Sequence, residues 1–171
     1  MNRKIDMNSE RVLCVAPHPD DESLGCAGTL LKWKQSGARL YWAIVTKIGK
    51  NLEAPQDRIA RRQREIDLVE KFYDFDKRYD MGFEAAGLDE TSDSMLVGAF
   101  SRILADLKPT RLLLPFYGDA HSDHKRVFEC AKAASKWFRC PTIKKVLMYE
   151  TLSETNFAPV LSEQFHANFF V

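Results

Sequence analysis

Along the chain, short apolar runs alternate with longer stretches in which apolar residues recur every three or four positions. Val12 to Ala16 is the first such run, and Leu24, Ala27 and Leu31 after it are spaced for one face of a helix. Gly37 stops that helix, and Ala38 to Thr46 reads as a second strand. A polar loop is expected from Lys47 to Pro55, then a charged helix from about Gln56 to Tyr73 with Ile59, Ile66, Val69 and Tyr73 on one side. Lys77 to Met81 predicts a short strand, and Gly82 to Thr91 a glycine-punctuated loop. Ser92 or Asp93 caps a third helix carrying Leu96, Phe100, Ile103 and Leu107, which Pro109 ends. Arg111 to Pro115 is nearly all apolar, as in a strand covered on both faces. A fourth helix follows the 116–122 loop, with Val127, Ala131, Ala134 and Phe138 along a face. Lys144 to Glu150 is a further strand, and the tail to Val171 is irregular.

Strands alternating with helices predict a mostly parallel sheet with right-handed crossovers and helices on both faces, an α/β fold of three layers, Rossmann-like in outline. The first strand–helix turn lacks the G-x-G-x-x-G pattern, which disfavours a dinucleotide. At 171 residues the chain reads as one domain, 1–171, large enough to bury a core without disulfide or metal staples.

Charge and cysteine usage narrow the function classes. A formal net charge of +1 argues against a large electrostatic footprint for nucleic acid or acidic membrane. No apolar run approaches the length of a membrane span, and Met1 to Glu10 lacks the apolar stretch of a signal peptide. Cys14, Cys26, Cys130 and Cys140 show no C-x-x-C spacing and read as reduced, mostly buried thiols, with the cytoplasm as the default compartment.

The chemistry gathers at two strand ends. Ala16-Pro17-His18-Pro19-Asp20-Asp21-Glu22 follows the first strand, and Gly118-Asp119-Ala120-His121-Ser122-Asp123-His124 follows the apolar run at 111–115. Together they hold three of the four histidines and five carboxylates; His166 stands apart in the tail. A lone histidine is more often a core residue, and a lone acid here more often a helix cap. Two such clusters, each at a strand end on one edge of a parallel sheet, are what a three-ligand catalytic zinc with water in the fourth position needs. His18 and Asp21, three apart across a helix start, can turn to one ion, and His124 can reach it from the second loop. Asp20 must point elsewhere and can contact a bound water, His121 faces a substrate, and Asp123 can fix the His121 tautomer. The arginines from Arg58 to Arg64 read first as a solvated helix face.

These two motifs resemble those of the LmbE-like (PIG-L) zinc-dependent N-deacetylases, and the similarity runs from about Arg11 to the end of the chain, including Leu88-Asp89 and the stretch Tyr149 to Thr155. The resemblance implies zinc held by His18, Asp21 and His124, with Asp20 as general base. It further implies that His121, oriented by Asp123, protonates the leaving amine or stabilises the oxyanion. The implied substrate is an N-acetylated amino sugar, free or linked to a lipid or small molecule, with Arg62 (three before Glu65) and Asp89 as candidate substrate contacts. Fe2+ or Co2+ would suit the same donor set. Relatives usually continue past the Asn168-Phe-Phe-Val171 type of segment. The corresponding expectation is a shortened substrate-side wall, or one supplied by a neighbouring subunit in a homo-oligomer. Two other classes fit the same residues: a different metal-dependent amidase, and a non-catalytic zinc- or sugar-binding or assembly protein.

Overall fold

The structure, a computed structural model, describes residues 9–48, 55–157 and 164–171. The expected signal-peptide-free N-terminus and most of the expected loop at 47–55 lie outside those residues, as does part of the tail. Five strands form one parallel sheet: β1 (Arg11–Ala16), β2 (Arg39–Lys47), β3 (Lys77–Glu84), β4 (Arg111–Pro115) and β5 (Lys145–Tyr149), in the order β3-β2-β1-β4-β5. The helices are α1 (Asp21–Gln35), α2 (Gln56–Tyr73), α3 (Asp93–Leu107), α4 (Ser122–Ala134) and the short α5 (Leu152–Thr155). None of the described helices is long and apolar enough to cross a membrane.

Side-chain alternation along the strands builds two cores, because successive residues of a strand face opposite ways. Val12, Cys14, Leu40, Trp42 and Leu113 pack beneath α1 with Leu30 and Trp33. Leu13, Val15, Ala43, Val45, Leu112 and Leu114 pack against Phe100 of α3 and Val127 and Ala131 of α4. Both faces of the central strands are thus covered, which is why β1, β2 and β4 read as continuous apolar runs. All four cysteines are buried free thiols, with Cys14 and Cys26 in contact at 3.6 Å between sulfurs.

The differences from expectation have local causes. On α1 the buried apolar positions are Cys26, Leu30 and Trp33, while Leu24 faces the cleft described below; the helix kinks at Cys26 (φ −139°). β3 runs on to Glu84, because pairing with β2 continues through an irregularity between Ile44 and Thr46, and Gly82 (φ +75°) supplies the left-handed conformation the strand needs there. Ser92 is the α3 cap, its Oγ accepting from the Met95 N–H at 3.4 Å. α4 ends at Ala134, where the Ser135 hydroxyl turns back to the Lys132 carbonyl, so Phe138 falls outside the helix and is exposed. Part of the tail forms α5, and its position matters to the site.

Candidate metal centre

β1 and β4 are neighbours and parallel, so the loops leaving them, 17–20 and 116–121, emerge side by side on one edge of the sheet. The strand order reverses between them, since β1 leads on to β2 and β3 while β4 leads the other way to β5. Ligand sites form at such a crevice because the two loops diverge there and leave room.

At the first corner Asp20 occupies the N-cap position of α1 but its carboxylate makes no capping bond. It accepts instead from Arg62 of α2, Nη2 to Oδ2 at 3.1 Å. Asp21 is turned inward and buried, its Oδ2 accepting from the His18 backbone N–H at 2.8 Å. That same oxygen lies 3.4 Å from His18 Nδ1 and 3.3 Å from His124 Nε2. Glu22 is fully buried with its Oε1 bonded to the Ser23 hydroxyl, and burial pushes its pKa up to about 7.

At the second corner His121 is the N-cap residue of α4, and its Nδ1 accepts the Asp123 backbone N–H at 3.0 Å. The neutral ring therefore carries its proton on Nε2. This corrects the expected pairing, in which the Asp123 carboxylate orients His121: the main chain of Asp123 does so, because the carboxylate is engaged elsewhere. It accepts from the Ala86 and Leu88 N–H groups at 2.7 and 3.3 Å and from His18 Nε2 at 3.1 Å. His124, 1% exposed, places Nδ1 2.8 Å from Asp119 Oδ2. Asp119 in turn accepts from the Thr155 hydroxyl of α5.

These contacts set the electrostatics. Burial alone would lower the His18 pKa, but Asp123 and Asp21 outweigh it and raise it to about 9. His124 reaches about 9 in the same way, with Asp119 and Asp21 as its carboxylates. Burial would raise Asp21, yet the two imidazoles hold it far below the usual carboxylate range. His121 is shifted the other way, lowered by burial and by the neighbouring His18. With no cation present, protons on His18 and His124 neutralise the buried acids; a divalent ion would take their place.

Two groups of three side chains bring ligand atoms within 4.8 Å of one another: His18, Asp21 and His124, and His18, His121 and Asp123. Their existing bonds decide between them. In the second group the Asp123 carboxylate and His121 Nδ1 already accept backbone donors. In the first, His124 Nε2 is buried without a hydrogen-bond partner among the described residues, although a carboxylate oxygen stands 3.3 Å away. An unpaired buried nitrogen is costly, and one aimed with a second nitrogen at a shared carboxylate suits a metal ion. With Asp119 holding Nδ1–H, the Nε2 lone pair is the one offered.

The cleft above these groups has a volume of about 520 Å³, with Arg61 and Arg62 of α2 on one wall and Glu154 of α5 on another. Asp89, expected as a substrate contact, does not line it: the side chain is exposed, and the loop reaches the site through the Ala86 and Leu88 main chain instead. His166 is exposed in the tail. Asp119 and Thr155 carry weight that the sequence did not assign. Asp119 was visible only as one of five acids, and nothing local marks a threonine thirty-one residues after His124.

Comparison with known proteins gives the frame for this geometry. Residues 13–135 match the PIG-L family, described as GlcNAc-PI de-N-acetylase. A probable N-acetyl-alpha-D-glucosaminyl L-malate deacetylase 2 of Bacillus subtilis (strain 168) is 29% identical over 124 residues, 67% of this chain and 56% of that protein. Among solved structures, the conserved protein TT1542 from Thermus thermophilus superposes with a TM-score of 0.70 at 25% identity, over 82% of this chain and 66% of that one. The N,N'-diacetylchitobiose deacetylase of Pyrococcus horikoshii gives 0.65 at 22% identity, over 75% and 50%. The chain thus spans a little over half the length of the B. subtilis relative.

Proposed function

The chain belongs to the PIG-L family, and on that premise we propose that it is a metal-dependent hydrolase removing the acetyl group from an N-acetylglucosamine-type sugar or glycoconjugate. The observation that carries the reading is the buried His124 Nε2, without a hydrogen-bond partner among the described residues, converging with His18 on Asp21, beside Asp20, whose carboxylate does not cap the helix it precedes. Zn2+ suits two imidazoles and a carboxylate, and Fe2+ or Co2+ would be accepted by the same donors. The B. subtilis and P. horikoshii relatives carry names that place N-acetylated glucosamine derivatives among the substrates of this fold, which supports the choice of sugar.

His18, Asp21 and His124 would hold a divalent ion, which would supply Lewis acidity towards a water and the acyl carbonyl. Asp20 takes the proton of the attacking water as its oxygen bonds to the carbonyl carbon. His121, neutral because its pKa is lowered and with Nδ1 committed to the Asp123 N–H, donates Nε2–H to the developing oxyanion. Of the two roles open to His121, oxyanion donor is the one this tautomer suits. Asp20 then passes its proton to the nitrogen as the C–N bond breaks, releasing acetate and a free amine. Arg62, on the cleft wall and in contact with Asp20, binds substrate next to the base.

The test is acetate release from N-acetylglucosamine and from a simple glycoside of it, with the protein stripped by chelator and then reloaded with Zn2+. Release that needs the metal is the expected result. Stoichiometric metal with no release from any N-acetylated amino sugar would favour a binding protein, and absence of metal binding would refute the site.

A further inference from the structure

α5 lies beyond the 13–135 segment that matches the family, yet it touches the centre. We propose that Thr155 is a positioning residue for the ligand His124, acting through Asp119; this rests on the metal-site reading above.

The direction of the hydrogen bonds leaves one assignment. The Thr151 backbone N–H can only donate, and it donates to Thr155 Oγ1 at 2.8 Å. The single hydroxyl proton of Thr155 therefore goes to Asp119 Oδ1, at 2.6 Å. The other oxygen of Asp119 lies 2.8 Å from His124 Nδ1 and accepts the ring proton there. In the neutral, metal-binding form of His124 the proton is thereby held on Nδ1, and Nε2, turned to Asp21, is the nitrogen that gives up its proton to an ion. Thr155, Asp119 and His124 are 8%, 0% and 1% exposed, so water does not substitute freely for any of them.

A purely local role for Thr155 would end at its acceptor half, which closes the turn of α5 on the Thr151 N–H. The donor half points out of the helix at a carboxylate with a second partner. α5 is also held to the same loop by its main chain, the Ala120 N–H donating to the Glu154 carbonyl at 3.2 Å. Glu154, next to Thr155, lines the cleft. One four-residue helix thus supplies both a wall of the substrate site and the outer support of a metal ligand.

Thr155→Val keeps the β-branched shape and removes only the hydroxyl, Thr155→Ser restores it, and Thr151→Val removes a hydroxyl that has no partner while keeping the N–H that is used. Zinc affinity is read by competition with a chromophoric chelator, alongside the thermal midpoint of each metal-free protein. Thr155→Val is expected to weaken zinc binding by up to about 10-fold, the lower end of the range for losing the direct partner of a histidine ligand, because that partner, Asp119, is still present. Thr155→Ser and Thr151→Val are expected to bind as wild type. Should Thr155→Val not fold, Thr155→Ala carries the same expectation. Wild-type zinc affinity in the Thr155 variant, or an equal loss in Thr151→Val, would overturn the positioning role while leaving the metal site standing. Failure of the unaltered protein to bind zinc would instead overturn the site itself.

Discussion

Replacing Asp20 by alanine separates catalysis from everything else the first corner does. The side chain sits at a helix N-cap without capping, and among the described residues its hydrogen bond is to Arg62, itself about one-third exposed. A partly exposed ion pair of this kind contributes at most about 1 kcal/mol, and in a domain of this size that shifts the melting temperature by roughly 2–4 °C. The proposed metal ligands are other residues, so zinc content should equal that of the unaltered protein. Loss of a general base typically costs about 10²- to 10⁴-fold in rate, which corresponds to roughly 3–5 kcal/mol of transition-state stabilisation. The assay is acetate release at matched zinc occupancy, with metal quantified on the protein that enters it. A variant that turns over at the unaltered rate would refute Asp20 as base. One that loses its zinc would refute the division of labour between Asp20 and Asp21.

Three further outcomes follow from the same geometry. His18 and His124 have pKa values raised to about 9 by the buried acids, so near neutral pH zinc must displace protons from both; titration of the metal-free protein with Zn2+ in weak buffer should release protons, and apparent affinity should climb as pH rises towards 9. The same sign makes the metal-free fold gain from these two histidines in full below their ordinary pKa and lose that gain as pH rises through about 9. Gly25→Ala should strongly destabilise the fold, because a β-carbon there would enter the Tyr149 ring and come within 2.7 Å of the Glu150 carbonyl; a melting temperature near that of the unaltered protein would show that α1 does not rest on the end of β5. Glu10 is buried; burial would raise its pKa, but the Thr110 hydroxyl, Arg111 and Lys144 outweigh it and hold it below its ordinary value. Its contribution is present above that ordinary value and disappears as pH falls through the lowered one. The stability gap between the unaltered protein and Glu10→Gln, followed by thermal melts, should therefore close in acid.

The strands and their order of covering were legible because a doubly covered parallel sheet leaves an apolar run that no other local pattern imitates; Val12 to Ala16 and Arg111 to Pro115 carry that signal alone. The ends of elements were less so. Phe138 sits at helical spacing after Ala134, yet the Ser135 hydroxyl ends the helix by bonding a carbonyl that another turn would have used. Gly82 reads as a loop residue, and the structure uses its left-handed conformation to keep β3 paired with β2. In the candidate site, residue types and spacing pointed to His18, Asp21 and His124, which belong to two short motifs at strand ends, and the fold brings the three together. Residue types and spacing did not suffice for partners set by the tertiary fold. Which group orients His121 depends on where the loop at 86–88 sits, and that loop takes the Asp123 carboxylate for itself.

The five acids of the two motifs sort themselves by what they touch. Asp119 and Asp123 are fully buried, and each holds a ring nitrogen of one histidine, Nδ1 of His124 and Nε2 of His18. Those bonds point the remaining nitrogens, His124 Nε2 and His18 Nδ1, at one oxygen of Asp21. Glu22 is sealed behind the helix start with Ser23. Asp20 lines the cleft with its carboxylate paired to Arg62 and neither capping the helix nor, among the described residues, holding a histidine. A carboxylate committed to orienting a histidine cannot also accept and return a proton without disturbing that ring, so in the reaction proposed above Asp20 is the acid expected to serve as base. That expectation does not depend on the identity of the sugar.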